Sequence, residues 1–282
     1  MLLQGTLAGA YRIGRRAAVG ATSDVYEGRD ANGGRVAIKV LAARWGVHAE
    51  MVARFLQEAQ SLLALRHAHL VRGLAFGLIE ERHPYLVLEW LPRDLEQGLA
   101  AAGGRFAAAD CARVVHQLAE VLSLLHARGL IHRDLKPANV LLACDTPGVM
   151  DVRLSDLGLA KRMAEPEETD SRLPLSTAEE ALLGSRHYMA PEQWVSAKRV
   201  GPEVDVYALG VLWFQMLAGR LPFPGEAERE LMYQHVVERP PMQWLEGVAP
   251  EATVAMVSRM LDKVAGQRPP LSDVLALTSS LG

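Results

Sequence analysis

His132-Arg133-Asp134-Leu135-Lys136-Pro137-Ala138-Asn139 is the stretch on which the reading of this chain turns. A carboxylate, a lysine two residues on and an amide five residues on lie between apolar Leu130-Ile131 and Val140-Leu141-Leu142. Polar groups so placed sit at the edge of a core, where they need partners or a ligand. A lone Asp or Asn there would read as an exposed turn carrying a helix cap. An eight-residue polar string of this kind is poorly explained that way.

Working outward, the first ninety residues carry short β-type runs at Tyr11–Arg16, Val25–Gly28, Val36–Leu41, Leu70–Leu78 and Tyr85–Glu89. Asn32-Gly33-Gly34 is a strong hairpin signal between two of them. One helix is expected between the runs, roughly Ala49 to Leu65, with Val52, Phe55, Leu56, Ala59, Leu62 and Leu63 as its buried stripe. Past Leu91-Pro92 the pattern turns helical. Ala108–Arg128 places Cys111, Val114, Val115, Leu118, Val121, Leu122 and Leu125 on one broad face, and Gly129 is the expected stop. Two short strands are expected at Val140–Leu142 and Val152–Leu154, and helices resume near Glu203. Glu165 to Glu180 holds six acidic residues, two prolines and four hydroxyls (Thr169, Ser171, Ser176, Thr177) without an apolar period, and reads as a loop.

The string from His132 to Asn139 resembles the catalytic loop of the protein-kinase family, and Lys136 matches its serine/threonine branch. The resemblance implies an α+β, protein-kinase-like bilobal fold. Its small lobe would be an antiparallel β-sheet with one helix, and its larger lobe mainly helical. The domain would run over 11–277, with lobes 11–91 and 92–277, a hinge near Glu89–Arg93 and short termini at 1–10 and 278–282. It also implies that Asp134 accepts or orients the proton of a substrate hydroxyl, that Lys136 steadies the transferring phosphate, and that Asn139 holds Mg²⁺. Charge on a triphosphate repels a nucleophile, so metals must offset it and a carboxylate must aim the attacking oxygen. Asp156, in Ser155-Asp156-Leu157-Gly158, resembles the family's Asp-Phe-Gly motif with Leu for Phe and is the second expected metal ligand.

Val36-Ala37-Ile38-Lys39 ends an apolar strand on a lysine, and Glu58 lies nineteen residues on in the expected helix. The family pairs two such residues so that the lysine grips the α- and β-phosphates of ATP. The glycine-rich loop departs from the family pattern: its glycine positions fall on Ala18, Gly20 and Ser23, ahead of Val25, and only Gly20 is a glycine. By the same resemblance the adenine pocket includes Ala17, Val25, Ala37, Leu88 and Leu141, with backbone groups of Glu89 and Leu91 on the purine edge and Leu88 as gatekeeper. Gly184 to Glu192 resembles the end of an activation segment, with Ser185 in place of Thr and Arg186 where Pro is common. Glu192 is expected to pair with Arg268, and Asp205 to support the catalytic loop. Arg133 beside Asp134 implies a loop ordered by phosphate within Thr169–Thr177.

The formal charge of −3 argues against a nucleic-acid or membrane-surface protein. The longest uncharged run, Val206–Gly219, is fourteen residues, too short to span a bilayer. Met1-Leu2-Leu3-Gln4-Gly5 lacks the basic start and long apolar stretch of a signal peptide, and 282 residues are expected to hold a kinase domain without a sizeable sensor module. Cys111 and Cys144 have no zinc-type spacing and suit a reducing compartment. The expectation is therefore a cytoplasmic serine/threonine protein kinase using ATP and Mg²⁺. Its partner would be a protein substrate with Ser or Thr, and self-association would serve autophosphorylation. The style of the sequence is that of bacterial members. Two alternatives carry less of the pattern: a pseudokinase scaffold that binds nucleotide with little or no transfer, and a small-molecule phosphotransferase of the same fold.

Overall fold

Strands at Arg35–Leu41 and His83–Glu89 are almost continuously apolar and become central strands buried on both faces. The computed structural model describes residues 3–20, 22–157, 186–195 and 200–281. These form two compact units that divide between Leu91 and Pro92.

The first unit is built on six strands: β1 (Leu7–Ala8), β2 (Tyr11–Val19), β3 (Ser23–Arg29), β4 (Arg35–Leu41), β5 (Gly73–Ile79) and β6 (His83–Glu89). The sheet order is β1-β2-β3-β4-β6-β5, with every neighbouring pair antiparallel. Asp30 closes the β3–β4 turn, its Oδ1 accepting the N–H groups of Asn32 (2.9 Å) and Gly34 (2.8 Å). Gly33 takes a φ of 84° there, which explains a glycine at that position. Side chains alternate across the sheet. One face carries Ile13, Tyr26, Val36, Ile38, Val40, Tyr85 and Val87, which pack into a single core with Leu3, Ala8 and Ile79. The other face carries Val25, Lys39 and Leu86 in one cross-strand row and Glu27, Ala37 and Leu88 in the next.

Helix α1 (Ala49–Ala64) covers part of that second face. Its buried stripe is Met51, Phe55, Glu58, Ala59 and Leu62, while Val52, Leu56 and Leu63 are only half-buried. The stripe is thus rotated from the expected one, because a charged residue, Glu58, belongs to it. Two further differences concern the strands. β2 runs on to Val19 through two register irregularities, and β5 begins at Gly73, since Leu70 and Val71 are buried outside the ladder.

The second unit opens with β7 (Arg93–Asp94) and α2 (Leu95–Ala101), the latter capped by Asp94, whose Oδ1 accepts the Gln97 N–H at 2.8 Å. Helix α3 (Ala108–His126) buries every residue of its expected face. Strands β8 (Val140–Cys144) and β9 (Asp151–Leu154) join β7 in a small antiparallel sheet with β9 at its edge. Then come α4 (Pro191–Val195), α5 (Glu203–Ala218), α6 (Glu228–Val236), α7 (Glu251–Met260) and α8 (Leu271–Ser279). Helix α5 is buried all round from Val204 to Phe214, as a central helix must be. A Cβ on Gly210 would stand 2.8 Å from that of Met260, so the glycine lets α5 and α7 approach closely. Among the described residues no helix is long and apolar enough to cross a membrane.

Candidate active site

The loop from His132 to Asn139 is held from three sides within the second unit. Asp205, in the first turn of α5, is wholly buried. Its Oδ2 accepts the His132 N–H at 2.9 Å and the His126 Nε2–H at 2.7 Å, and its Oδ1 accepts the Arg133 N–H at 2.8 Å. His132 is also wholly buried. The Asp134 N–H points at its Nδ1 (3.3 Å), so the ring proton sits on Nε2 and is donated to the Ser155 carbonyl at 2.9 Å. The Asn139 carbonyl in turn accepts from Ser155 N–H (2.8 Å) and Oγ (3.0 Å). One imidazole and one hydroxyl thereby tie the loop to the residue just before Asp156.

Inside the loop, Asn139 Nδ2 donates to the Asp134 carbonyl (2.7 Å) and to its Oδ2 (2.9 Å), and Lys136 Nζ lies 3.3 Å from the same Oδ2. Two donors on one oxygen fix the rotation of the carboxylate. With Nδ2 so used, the amide oxygen of Asn139 is left as a hard oxygen donor. Asp156 follows Ser155 in a left-handed conformation, φ 55°, uncommon for a side-chain-bearing residue. Oxygen donors from Asn139 and Asp156, with phosphates and waters completing the shell, suit Mg²⁺. Leu157 is buried.

Sequence reasoning missed what holds β9. Gln117, on α3, donates Nε2–H to the Met150 carbonyl and accepts the Val152 N–H at Oε1, both at 2.8 Å. One side-chain amide thus satisfies the outer edge of β9 as a neighbouring strand would. Asp110 accepts the Gly148 N–H at 2.8 Å and anchors the β8–β9 turn. A lone glutamine on an apolar helix carries no motif; only its half-buried position beside the apolar face of α3 could have flagged it.

In the first unit Lys39 Nζ lies 3.3 Å from Glu58 Oε1, their side chains 9% and 3% exposed. Val25 and Ala37 are half-buried on the Lys39 face, and Leu88 is buried there. Ala17, Ala18 and Gly20 are exposed, and Ser23 is buried. The Gly20 N–H donates to the Ser23 carbonyl at 2.9 Å, and a Cβ on Gly20 would meet that oxygen at 2.6 Å. The surviving glycine is therefore the one the hairpin needs. The Glu89 N–H is bonded to the Arg72 carbonyl (3.0 Å), which removes it as a ligand donor. Leu91 and Leu141 are half-buried; Leu91 follows β6, and Leu141 is in β8 of the second unit.

Past the gap in the described residues, Ala190 N–H donates to Gln193 Oε1 (2.9 Å), and Gln193 Nε2 reaches the Arg133 carbonyl (3.4 Å). Arg268 grips Glu192 with both Nη groups, at 2.6 and 2.8 Å, and donates to the Asp262 and Glu203 carbonyls. Arg186 pairs with Glu228 at 2.8 Å. Thr169, Ser171, Ser176, Thr177 and Ser185 lie outside the described residues.

Residues 11–278 match the family model described as the protein kinase domain. The chain belongs to that family. The serine/threonine-protein kinase pkn2 of Myxococcus xanthus is 36% identical to this kinase domain over 97% of the chain and 33% of its own length. PknA of Mycobacterium tuberculosis, also a serine/threonine-protein kinase, is 32% identical over 84% of the chain and 53% of its length. The kinase domain thus spans between a third and about half of these bacterial relatives. A crystal structure of Rad53 1-466 in complex with AMP-PNP matches with a TM-score of 0.74 at 24% identity, over 94% of this chain and 64% of that one, and bears out the expected fold.

Proposed function

We propose that this kinase domain transfers the γ-phosphoryl group of ATP to serine or threonine hydroxyls of a protein. The observation that carries the reading is the state of Asp134: a carboxylate fixed by Asn139 and Lys136 on a loop that Asp205 and His132 hold rigid. Asp134 would take the hydroxyl proton, and Lys136 would stay close to the phosphoryl group as it moves. Lys39, directed by Glu58, would hold the α- and β-phosphates. The apolar Val25, Ala37 and Leu88 would face the purine, and the Leu91 N–H would meet its edge. Asn139 and Asp156 would hold magnesium, which supplies charge neutralisation at the phosphates when bound.

Regulation by phosphate in the activation loop has one support. Among the described residues Arg133 Nη1 is buried and has no hydrogen-bond partner, which suits a residue awaiting an anion. Ala18 and Ser23 at two glycine positions favour a second reading, a domain that binds nucleotide without transfer. The deciding experiment follows label from [γ-³²P]ATP into a basic protein and into the domain itself, with Mg²⁺. The proposal expects transfer that falls about 10²–10⁴-fold in Asp134→Asn. Equal transfer by the two proteins defeats the assignment, and ATP binding without transfer by the unaltered domain establishes the second reading.

A further inference from the structure

Strand register puts three arginines side by side on the first unit. Arg12 on β2 is directly opposite Arg29 on β3, and Arg29 is directly opposite Arg35 on β4. All three are exposed and share one face, because Ile13, Gly28 and Val36 beside them belong to the opposite, core-facing set. Like charges directly across an antiparallel pair are destabilising. Here the unfavourable pairing occurs twice in succession.

Local counter-charge does not offset it. Glu27 is shared by Arg15 at 3.0 Å and Arg35 at 2.8 Å. Asp30 is committed to the hairpin turn through the N–H groups of Asn32 and Gly34. Among the described residues Arg12 and Arg29 have no carboxylate partner; Arg29 donates only to the Gly33 carbonyl, at 2.8 Å. Arg35 is braced by stacking its guanidinium over the Trp90 ring, 4.4 Å from the centroid. The row borders a shallow cavity of about 200 Å³ lined by Arg12, Gly14, Glu27, Gly28, Arg29 and Arg35.

We infer that this arginine row is a docking site for an extended acidic segment of a partner protein. Guanidinium groups on adjacent strands stand about 4.8 Å apart at their roots, so three span roughly 10 Å. Alternate side chains of an extended peptide repeat about every 6.8 Å, so two or three carboxylates on one edge reach the row. Arginine forks suit carboxylates because each offers two parallel donors. A nucleic-acid backbone would need a longer basic track than three residues, on a chain whose formal charge is −3. A binding role accounts for a row that weakens the sheet.

The test is fluorescence anisotropy with labelled hexaglutamate, with labelled hexaglutamine and pyrophosphate as separate probes. Hexaglutamate should bind, more weakly as salt is raised, and hexaglutamine should not. The double variant Arg12→Ala/Arg29→Ala should bind hexaglutamate about tenfold or more weakly. Its melting temperature should stay level or rise by about 1–3 °C, since repulsion has been removed. Unchanged peptide affinity in the double variant overturns the inference. So does a fall in melting temperature, which would make the row structural, or pyrophosphate binding as tightly as hexaglutamate, which would make it a small-anion site.

Discussion

Arg133 takes a left-handed backbone conformation, φ 64°, and its N–H is held by Asp205 Oδ1 at 2.8 Å. A non-glycine residue in that region costs about 1–3 kcal/mol and persists only where its surroundings impose it. Asp205 imposes it by accepting from two consecutive backbone N–H groups with two oxygens. In Asp205→Asn one oxygen becomes an NH₂ facing a donor. That variant should lose about 2–3 kcal/mol of stability in urea titrations. It should also lose transfer activity at temperatures where it is still folded, because Asp134 is the next residue along.

Lys39 and Glu58 separate stability from chemistry. Removing one partner of a buried pair leaves the other charge stranded, so Lys39→Met should destabilise by about 3–5 kcal/mol. Lys39→Met/Glu58→Leu should recover most of that loss while turning over no ATP. A double variant as unstable as the single one would show that the pair does not act as a unit.

Gln117 makes a sharper prediction about metal. Gln117→Leu frees the edge of β9, whose end carries Ser155 and Asp156, and should cost about 1–2 kcal/mol for two half-buried bonds. If β9 sets the Asp156 carboxylate, the Mg²⁺ concentration giving half-maximal transfer should rise, with the value at saturating Mg²⁺ less affected. A purely structural residue would lower the saturating rate in proportion to folded protein and leave the Mg²⁺ dependence where it was.

Acid stability should report His235. The ring is wholly buried, shares a hydrogen bond between Nδ1 and the Tyr207 hydroxyl (2.9 Å), and is surrounded by Trp194 and Phe223. Burial first, then the positive fields of Lys263 and His187, hold its pKa down to about 3. Between pH 6.5, its ordinary value, and about 3 the unfolded chain binds the proton and the folded one does not. Stability from this residue is therefore intact above pH 6.5 and declines as the pH falls through that window. His235→Asn keeps an acceptor near Nδ1 but cannot titrate. Its stability should fall less steeply with acid, by up to about 1.4 kcal/mol per pH unit, in denaturant titrations across that range. Parallel slopes would remove His235 from the account.

Much of this was legible before any coordinates. Continuous apolar runs at 36–41 and 85–89 identified strands because hydrophobic burial acts on nearly every residue there, and Lys39 stood out because it breaks the run. Glu58 and Arg268 were found through the family resemblance, which pairs them with Lys39 and Glu192. What escaped depended on register or on single bonds. Strands β1 and β7 have two residues each, too few to show a period. The buried stripe of α1 differs from the apolar one because it includes Glu58 and Met51 in place of Val52, Leu56 and Leu63. The row Arg12, Arg29 and Arg35 exists only once hairpin lengths and the irregularities of β2 fix the pairing. Gln117 acts through one amide, and no spacing rule announces that.

The central proposal is that Lys39 and Asp156 each contribute to holding a magnesium-bound nucleotide. Calorimetric titration of ATP into the domain, with and without Mg²⁺, tests it on the unaltered protein, Lys39→Met and Asp156→Ala. The account predicts Mg²⁺-dependent uptake that weakens about tenfold or more in each variant. Uptake unaffected by Mg²⁺, or unaltered in either variant, would contradict it.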